Sequence, residues 1–237
     1  MLNRQAHKLI IGRILKDIYS DISLSSFLGF KGGTCAYIFY KLPRFSVDLD
    51  FDLLSTSEDN QSIILNKIED ILKQYGQVRE KYIKRFTILA ILSYGDKDHN
   101  IKVEINLRRL AKDMVSKYDF KEYLGISMQA AKKSYLFGGK LAALTLRKTI
   151  AMRDIFDIHY FAANNWDIDE EVVRQLTGKS IKEQLTDCLR VIGKVNNSQI
   201  MHGLGELVES QQQKEWIKNN LKSDVIFMLN NYLTSLN

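Results

Sequence analysis

Proline and cysteine are both scarce in this chain, which contains one proline and two cysteines in 237 residues. Cys35 and Cys188 lie far apart and have no metal-ligand spacing, which excludes a disulfide scaffold and a cysteine-based metal site. No apolar stretch reaches the length of a membrane span. The first helix-like segment is interrupted by Arg13, Lys16 and Asp17, which is not typical of a signal peptide. A reduced, cytoplasmic protein without a membrane partner is therefore expected.

The overall composition is that of a globular protein, with 45% hydrophobic and 26% charged residues. This excludes a disordered tail and a fibre. The formal net charge of +6 weakly favours a polyanionic partner. Scattered surface lysines explain the same charge without any such partner.

The hydrophobic pattern predicts a mixed N-terminal part. Apolar residues at helical spacing predict an amphipathic helix before residue 20, and a short apolar run over residues 26–31 predicts a buried strand. Gly32-Gly33 breaks this strand, and Thr34 can cap a helix that is stopped by Pro43.

Further elements are predicted before the chain becomes helical: a strand over residues 45–53, a helix over about 58–75, and strands over 86–94 and 101–107 joined by a turn at 95–100. From about Met128 the pattern is helical to the end. The sequence therefore predicts an α+β fold, with a change from mixed α/β to all-helical near residues 115–130.

Three aspartates occupy alternate positions of the strand predicted over residues 45–53. Asp48 and Asp50 would stand on one face about 6.6 Å apart, where their charges repel one another unless a cation neutralises them. Mg²⁺ (or Mn²⁺) suits such a pair, because these hard cations combine carboxylate oxygens with waters and substrate phosphates. A solvated face of an edge strand is the alternative, and this pattern alone supports both equally. Asp52, farther along, is interpreted as a solvent-facing residue at the strand end.

The glycine turn favours the metal hypothesis. Gly32-Gly33-Thr34 opens a helix, and such a turn exposes backbone N–H groups and the positive end of the helix dipole, which bind phosphate. A simple tight turn is the alternative. Together the two features predict a phosphate-binding turn one helix away from a metal-binding strand. Glu104, on the polar side of another strand, is a candidate third carboxylate, with a solvent-facing residue as the alternative.

These segments carry a family resemblance. Lys31-Gly-Gly-Thr34, followed by Arg44-Phe-Ser-Val-Asp-Leu-Asp-Phe51, resembles the first motif of the AbiEii/AbiGii-type nucleotidyltransferases. These proteins are the toxins of type IV abortive-infection toxin–antitoxin systems, within the polymerase-β-like superfamily. Lys140-Leu-Ala-Ala-Leu-Thr-Leu-Arg147, continuing to Arg153-Asp-Ile-Phe-Asp157, resembles the later helical motifs of that family. The resemblance covers about residues 30–161.

The resemblance implies a nucleotidyltransferase-type mixed sheet with flanking helices in residues 1–120. It implies an all-helical C-terminal domain in residues 121–237 that contributes to the active site. The implied activity is transfer of a nucleoside monophosphate from an NTP to an acceptor hydroxyl, with an RNA such as a tRNA 3′ end as acceptor. Growth arrest in phage defence and a separately encoded antitoxin are implied as well.

The roles of the family's site residues carry over to matching positions. The implied metal ligands are Asp48 and Asp50, with Glu104 as the variable third carboxylate. The implied NTP-binding residues are Gly32, Gly33, Thr34, Arg44, Ser46, Lys140, Arg147 and Arg153. The implied catalytic residues are Asp48, Asp50, Glu104, Lys140, Asp154 and Asp157. Thr34 departs from the serine common in the superfamily but keeps the hydroxyl.

The charged residues of the C-terminal motif would share a face if the segment were one helix. A solvated face with an Arg153–Asp157 ion pair is one interpretation. A half-buried charged stripe is the other, because apolar residues crowd the remaining positions. Gly138-Gly139, just before Lys140, is expected to let the backbone approach a ligand closely.

The acceptor is less well defined by the sequence. Six basic residues that flank the proposed site are candidate RNA contacts, with ordinary solvated side chains as the alternative: Arg79, Lys81, Lys84, Arg85, Lys132 and Lys133. A small molecule or a protein as acceptor is a second hypothesis. A non-catalytic nucleotide-binding module is a third, which the intact aspartate pair disfavours. A metal-dependent nuclease is disfavoured by the glycine turn, because hydrolysis needs no triphosphate site.

Overall fold

The computed structural model describes residues 3–54, 60–95 and 100–236. Internal contacts divide the chain into two compact units. The first unit comprises Met1–Lys41 and Phe45–Ala131, and the second comprises Leu42–Arg44 and Lys132–Asn237. The division near residue 131 differs from the expected one at 120, because the sheet includes two strands that the sequence did not predict.

The first unit is built on a seven-stranded sheet of order β3-β4-β5-β2-β1-β7-β6. The strands are β1 (Leu28–Lys31), β2 (Leu49–Leu53), β3 (Gln77–Lys84), β4 (Thr87–Ser93), β5 (Asn100–Asn106), β6 (Tyr118–Tyr123) and β7 (Ile126–Ala131). The β2–β5 and β1–β7 pairs are parallel and the others antiparallel, so the sheet is mixed. The glycine turn directly follows β1, and β1 pairs with β2. The turn therefore lies close to the aspartates of β2.

The α-helices described in this unit are α1 (Arg4–Ser20), α2 (Ile22–Ser25), α3 (Gly32–Tyr40) and α4 (Gln61–Lys73). The apolar stripe of α1 includes Ile14, Leu15 and Ile18, all fully buried. Helix α3 ends at Tyr40, with Lys41 in the left-handed conformation (φ 58°) two residues before Pro43. The predicted start of α4 and the predicted turn at 95–100 fall partly on residues 55–59 and 96–99, outside the described residues.

The second unit is helical: α5 (Lys133–Leu146), α6 (Met152–Ala163), α7 (Glu170–Thr177), α8 (Ile181–Gly193) and α9 (Gln211–Ser235). Phe161 of α6 is buried and stacks on Trp166 with ring centroids 4.1 Å apart. Phe137 of α5 packs edge-on against Phe161 and Tyr232. In the part of the chain that the structure describes, no helix is long and apolar enough to cross a membrane.

The predicted α+β class, a mixed sheet followed by helices, is confirmed. Strands β3, β6 and β7 were missed, since β3 and β6 lie at the sheet edges and carry mostly exposed polar residues that hide the period of two. The strand predicted over residues 45–53 forms ladder pairs only from Leu49. The segment 140–157 is two helices, because Arg147 and Ala151 are extended between α5 and α6.

Candidate active site

The glycine turn and the second aspartate are in direct contact in the first unit. Lys31 of β1 pairs with Asp50 of β2, and Gly32 follows with a positive φ of 77°. A Cβ atom at Gly32 would lie 2.3 Å from Oδ2 of Asp50. Glycine is therefore required here both for its backbone conformation and for the space that the carboxylate occupies.

Helix α3 begins at this contact without a side-chain cap. Its N-cap position is Lys31, whose side chain accepts no hydrogen bond from the first turn. The N–H groups of the first turn of a helix have no partner within the helix and carry the positive end of its dipole. The start of α3 can therefore receive an anion close to Asp50.

Thr34 fixes the segment that carries the first aspartate. Its hydroxyl is buried, lies 2.9 Å from Oγ of Ser46 and is hydrogen-bonded to the carbonyl oxygen of Asp48. The family resemblance implies that Thr34 and Ser46 bind the NTP. In the structure their hydroxyls are hydrogen-bonded to one another, and the contact with the NTP stays a prediction.

His7 holds the same segment from helix α1. This histidine is fully buried, and its Nε2 lies 3.0 Å from the carbonyl oxygen of Val47. Because a carbonyl only accepts, Nε2 carries the proton, and Nδ1 accepts from the Tyr94 hydroxyl at 2.5 Å. Asp48 thus follows a residue anchored by His7. No spacing in the sequence signals this role.

Acidic residues of β2 and β5 are neighbours in the sheet. Asp50 is the register partner of Glu104 across the parallel β2–β5 pair. Burial raises the pKa of Asp50 and the charges of Asp48 and Glu104 raise it further, against the opposing effect of Lys102 and Lys31. The site therefore disfavours the ionised form of Asp50 unless a cation is close.

Lys102 supplies a cation at this position. Its Nζ lies 2.8 Å from Oε2 of Glu104. Although burial lowers the pKa of Lys102, Glu104, Asp50 and Asp48 together raise it above its ordinary value. Within residues 3–54, 60–95 and 100–236, no three His, Cys, Asp or Glu side chains are grouped closely enough to hold a metal ion by themselves.

Asp52 is not the solvent-facing residue that was expected. Its side chain is fully buried, and Oδ1 accepts hydrogen bonds of 2.6 Å from Lys31 Nζ and from Asn106 Nδ2. Oδ2 accepts a third from the Tyr118 hydroxyl, also at 2.6 Å. Asp52 is buried because donors from β1, β5 and β6 surround it, and one of them, Lys31, is the residue before the glycine turn.

The C-terminal motif forms a buried ion network in the second unit. Arg44 donates from Nε to Oδ1 of Asp157 at 2.6 Å and from Nη2 to Oδ2 at 2.7 Å. Lys140 Nζ lies 2.7 Å from Oδ1 of Asp154 and 2.8 Å from Oδ2 of Asp157. The side chains of both aspartates are fully buried. The Asp157 partners are thus Arg44 and Lys140, not Arg153 as the i,i+4 interpretation supposed.

The network holds more positive than negative charge. Arg147 Nε lies 2.9 Å from Oδ2 of Asp154, so three cations (Arg44, Lys140 and Arg147) face two aspartates. Burial lowers the pKa of Lys140, but Asp154 and Asp157 outweigh it and the net shift is upward. Lys140 therefore remains charged, with 16% of its side chain exposed, whereas Arg147 has 45% exposed.

The glycine pair before Lys140 has a packing role. A Cβ atom at Gly138 would lie 2.9 Å from the carbonyl oxygen of Asp169, at the start of α7. At Gly139 it would meet nothing within 4 Å. Gly138 lets α5 approach α7 closely, and a ligand is not needed to explain it. Arg153 is half-buried on α6.

Solved structures of known proteins share the architecture of this chain. JHP933 from Helicobacter pylori superposes with a TM-score of 0.63 at 20% identity, covering 100% of this chain and 94% of that one. A second Helicobacter pylori protein, described as a candidate nucleotidyltransferase, gives a TM-score of 0.61 at 19% identity and covers 100% and 99%. At these identities the likeness concerns the fold. No curated protein matches the chain.

A family model settles the classification. The model described as "Nucleotidyl transferase AbiEii toxin, Type IV TA system" matches residues 13–219. This range includes the glycine turn, the aspartates of β2 and the ion network of α5 and α6. The chain therefore belongs to the AbiEii family of nucleotidyltransferase toxins of type IV toxin–antitoxin systems.

Proposed function

We propose that this nucleotidyltransferase uses Asp48 and Asp50 to bind a divalent cation and transfers a nucleoside monophosphate from an NTP to a hydroxyl of an RNA, such as a tRNA 3′ end. The observation that carries the proposal is the contact between Asp50 and Gly32 at the uncapped start of α3. The proposed metal ligands would thereby be adjacent to a helix terminus that can bind an anion, which is the arrangement that a metal–triphosphate complex needs.

The residues fit a divalent cation whose coordination is completed by substrate. Burial raises the pKa of Asp50, and the charges of Asp48 and Glu104 raise it further; a bound cation would relieve the repulsion between these carboxylates. Mg²⁺ is commonly held by one or two carboxylates plus phosphates and waters, so a third protein ligand is not required. When bound, the metal would polarise the transferring phosphoryl group.

The chain's own residues would then orient the reaction. The acceptor oxygen attacks the α-phosphorus, the bond to the bridging oxygen of the β-phosphate breaks, and pyrophosphate leaves. The proton of the attacking hydroxyl needs an acceptor, for which the carboxylate of Glu104 is the candidate. The first turn of α3 would bind phosphate oxygens through its N–H groups.

We also propose that basic residues of the second unit contact the NTP. Lys140 and Arg147 were assigned to the triphosphate, and the network leaves one positive charge in excess for such a contact. Arg147 is the better exposed of the two. The buried, bidentate contact of Arg44 with Asp157 favours a positioning role for Arg44 over direct contact with the nucleotide.

An RNA acceptor is supported by the hairpin of β3 and β4. Lys84 and Arg85 are exposed at its tip. The guanidinium groups of Arg85 and Arg108 lie 4.9 Å and 4.5 Å from the ring centre of Phe86, which is 38% exposed. Cations next to an accessible ring suit single-stranded nucleic acid, since they contact phosphates while the ring stacks on bases. Lys81 is less suited, because it pairs with Glu69 at 2.5 Å.

Transfer is tested by incubating the protein with each α-labelled NTP, Mg²⁺ and total RNA. Label should enter RNA with one preferred NTP, and the Asp48→Asn/Asp50→Asn variant should bind no Mg²⁺ and transfer none, while its thermal stability is unchanged or higher. Unchanged metal affinity in this variant would refute the assignment of the two aspartates. Label on protein or on a small molecule would instead identify the alternative acceptors.

The RNA surface is tested by charge reversal. RNA affinity should fall steeply as salt rises, because each phosphate contact releases counterions. Lys84→Glu/Arg85→Glu should weaken binding and flatten the salt dependence, with NTP binding intact. The matched control is Arg13→Glu/Lys16→Glu, an equal charge change on exposed residues of α1. The same reversal at Lys132 and Lys133 tests the remaining predicted contacts. Affinity indifferent to salt and to all reversals would remove RNA as the acceptor.

Family membership supports a proposal for the toxin's protein partner and its effect in the cell. A type IV antitoxin encoded separately is the proposed protein partner, and growth arrest during phage infection the proposed outcome. Expression of the chain should stop growth, and expression of the Asp48→Asn/Asp50→Asn variant should not.

A further inference from the structure

Lys102 has no role in the proposed transfer, yet it is ion-paired with Glu104, the candidate third carboxylate of the proposed metal site. It precedes Glu104 by two positions on β5, so both side chains project from the same face of the sheet. Its ammonium is hydrogen-bonded to Oε2 of Glu104 at 2.8 Å. Asp50 is the register partner of Glu104 on β2. The same ammonium therefore faces the carboxylates of both strands.

The charges at this position are unbalanced without it. Asp48, Asp50 and Glu104 bring three carboxyl groups to this part of the sheet, and Lys102 interacts electrostatically with each of them. Like charges at short distance in a partly buried site repel strongly, and a nearby ammonium reduces that repulsion. Its side chain is 34% exposed, so it can leave the site without disturbing the core.

The ion pair with Lys102 also affects whether the Glu104 carboxylate is available to a metal ion. In the described residues no group of three carboxylate or other ligand side chains is assembled for a metal, although Glu104 and Asp50 are register partners. While Glu104 is paired with Lys102, its carboxylate already interacts with a cation of the protein itself. Releasing Lys102 would free this carboxylate for a divalent cation or for the acceptor hydroxyl.

We infer that Lys102 is the internal counter-ion of the metal-free enzyme, neutralising the face formed by Asp48, Asp50 and Glu104 and giving up Glu104 when a divalent cation binds. This inference rests on the proposed metal role of the two aspartates. It assigns Lys102 as a positioning residue that limits metal affinity and prevents the acidic face from destabilising the empty enzyme.

The test is Mn²⁺ affinity in the absence of nucleotide, measured from the electron paramagnetic resonance signal of free Mn²⁺. Lys102→Met keeps the length of the side chain and removes its charge, and it should bind Mn²⁺ at least tenfold more tightly than the wild type. Lys102→Arg keeps the charge and should stay near wild type. Lys16→Met, the same charge change at an exposed residue of α1, should have no effect.

A second readout does not depend on the metal. Without Mn²⁺, Lys102→Met should melt at a lower temperature than the wild type at low ionic strength, and Mn²⁺ should raise its melting temperature by more. Equal or weaker Mn²⁺ affinity in Lys102→Met, with binding still abolished in Asp48→Asn/Asp50→Asn, overturns the counter-ion role and leaves the metal site intact. If no protein of the series binds Mn²⁺, the proposed metal site fails, and the inference fails with it.

Discussion

Arg44 and Asp157 form a bidentate ion pair, with Nε–Oδ1 at 2.6 Å and Nη2–Oδ2 at 2.7 Å, although they stand 113 positions apart in the chain. Arg44 belongs to the short segment Leu42–Arg44 that is grouped with the helical unit, between two stretches of the sheet unit. The pair therefore fixes that segment to α6. Both side chains are almost completely buried, so the energetic effect of losing one partner is large.

Replacing Asp157 by Asn should destabilise the protein by about 3–5 kcal/mol, the usual cost of leaving a buried charge without its partner. Arg44 and Lys140 would both lose a charged acceptor. Asp224→Asn is the control, since Asp224 contacts His159 at 2.8 Å but is 38% exposed, and it should cost about 0–1 kcal/mol. Urea denaturation measures both values. A similar small loss in both variants would contradict the importance of the network.

The same network predicts a pH dependence. Burial raises the pKa of Asp157, but Arg44 and Lys140 outweigh it and hold this pKa below the ordinary 3.8. A carboxyl group whose pKa is lower in the folded state than in the unfolded state stabilises the fold at pH values above its unfolded pKa. This stabilisation is lost as the pH falls through the folded pKa. The difference between wild type and Asp157→Asn should therefore be constant from about pH 7 to 5 and shrink only below about pH 4. A difference that already shrinks near pH 6 would require another titrating group.

Local patterns in the sequence predicted much of the first unit and less of the second. Alternation and glycine placement predicted β1, β4, β5 and the glycine turn that opens α3, whereas the contact of Gly32 with Asp50 was not predicted. The partner of Asp157 could not be predicted, because Arg44 reaches it through tertiary folding and no local spacing connects them. Asp52 was misjudged for the same reason, since its buried donors come from three other strands. Alternation along β5 places Lys102 on the same face as Glu104, but it does not reveal that the two side chains form an ion pair.

The two glycines before Lys140 should respond to alanine in opposite ways. In a helix interior, alanine is favoured over glycine by about 1 kcal/mol, and Gly139 has no atom within 4 Å of an added Cβ. Gly139→Ala should therefore raise the free energy of unfolding. Gly138→Ala should lower it, because the added Cβ would meet the carbonyl oxygen of Asp169 at 2.9 Å. Equal effects at both positions would contradict the close packing of α5 on α7.

Gly32→Ala separates backbone strain from the contact with the aspartate. Gly32 and Gly178 have nearly the same positive φ, 77° and 73°, but only Gly32 would place a Cβ against Asp50. Gly178→Ala should cost about 1 kcal/mol of stability from strain and leave transfer unchanged. Gly32→Ala should cost more and also abolish Mn²⁺ binding, since the Asp50 carboxylate must move. Normal Mn²⁺ affinity in Gly32→Ala would show that this contact is not needed for the metal site.

His7 provides a test of how the first aspartate is positioned. His7→Phe keeps a ring against Phe45 and Tyr94, whose centroids lie 5.7 Å and 5.5 Å away, but removes the donor to Val47 and the acceptor from Tyr94. The loss of these two part-buried hydrogen bonds should cost about 1–3 kcal/mol. Because Val47 directly precedes Asp48, we expect the Mn²⁺ affinity of His7→Phe to fall about tenfold as well, equivalent to about 1.4 kcal/mol, when measured well below the melting temperature.

The control is Tyr94→Phe, which removes only the tyrosine hydroxyl and leaves the hydrogen bond from His7 to Val47. It should lower stability with little change in Mn²⁺ affinity. Equal affinities in all three proteins would restrict His7 to a role in stability, whereas a loss confined to His7→Phe would assign it to positioning Asp48.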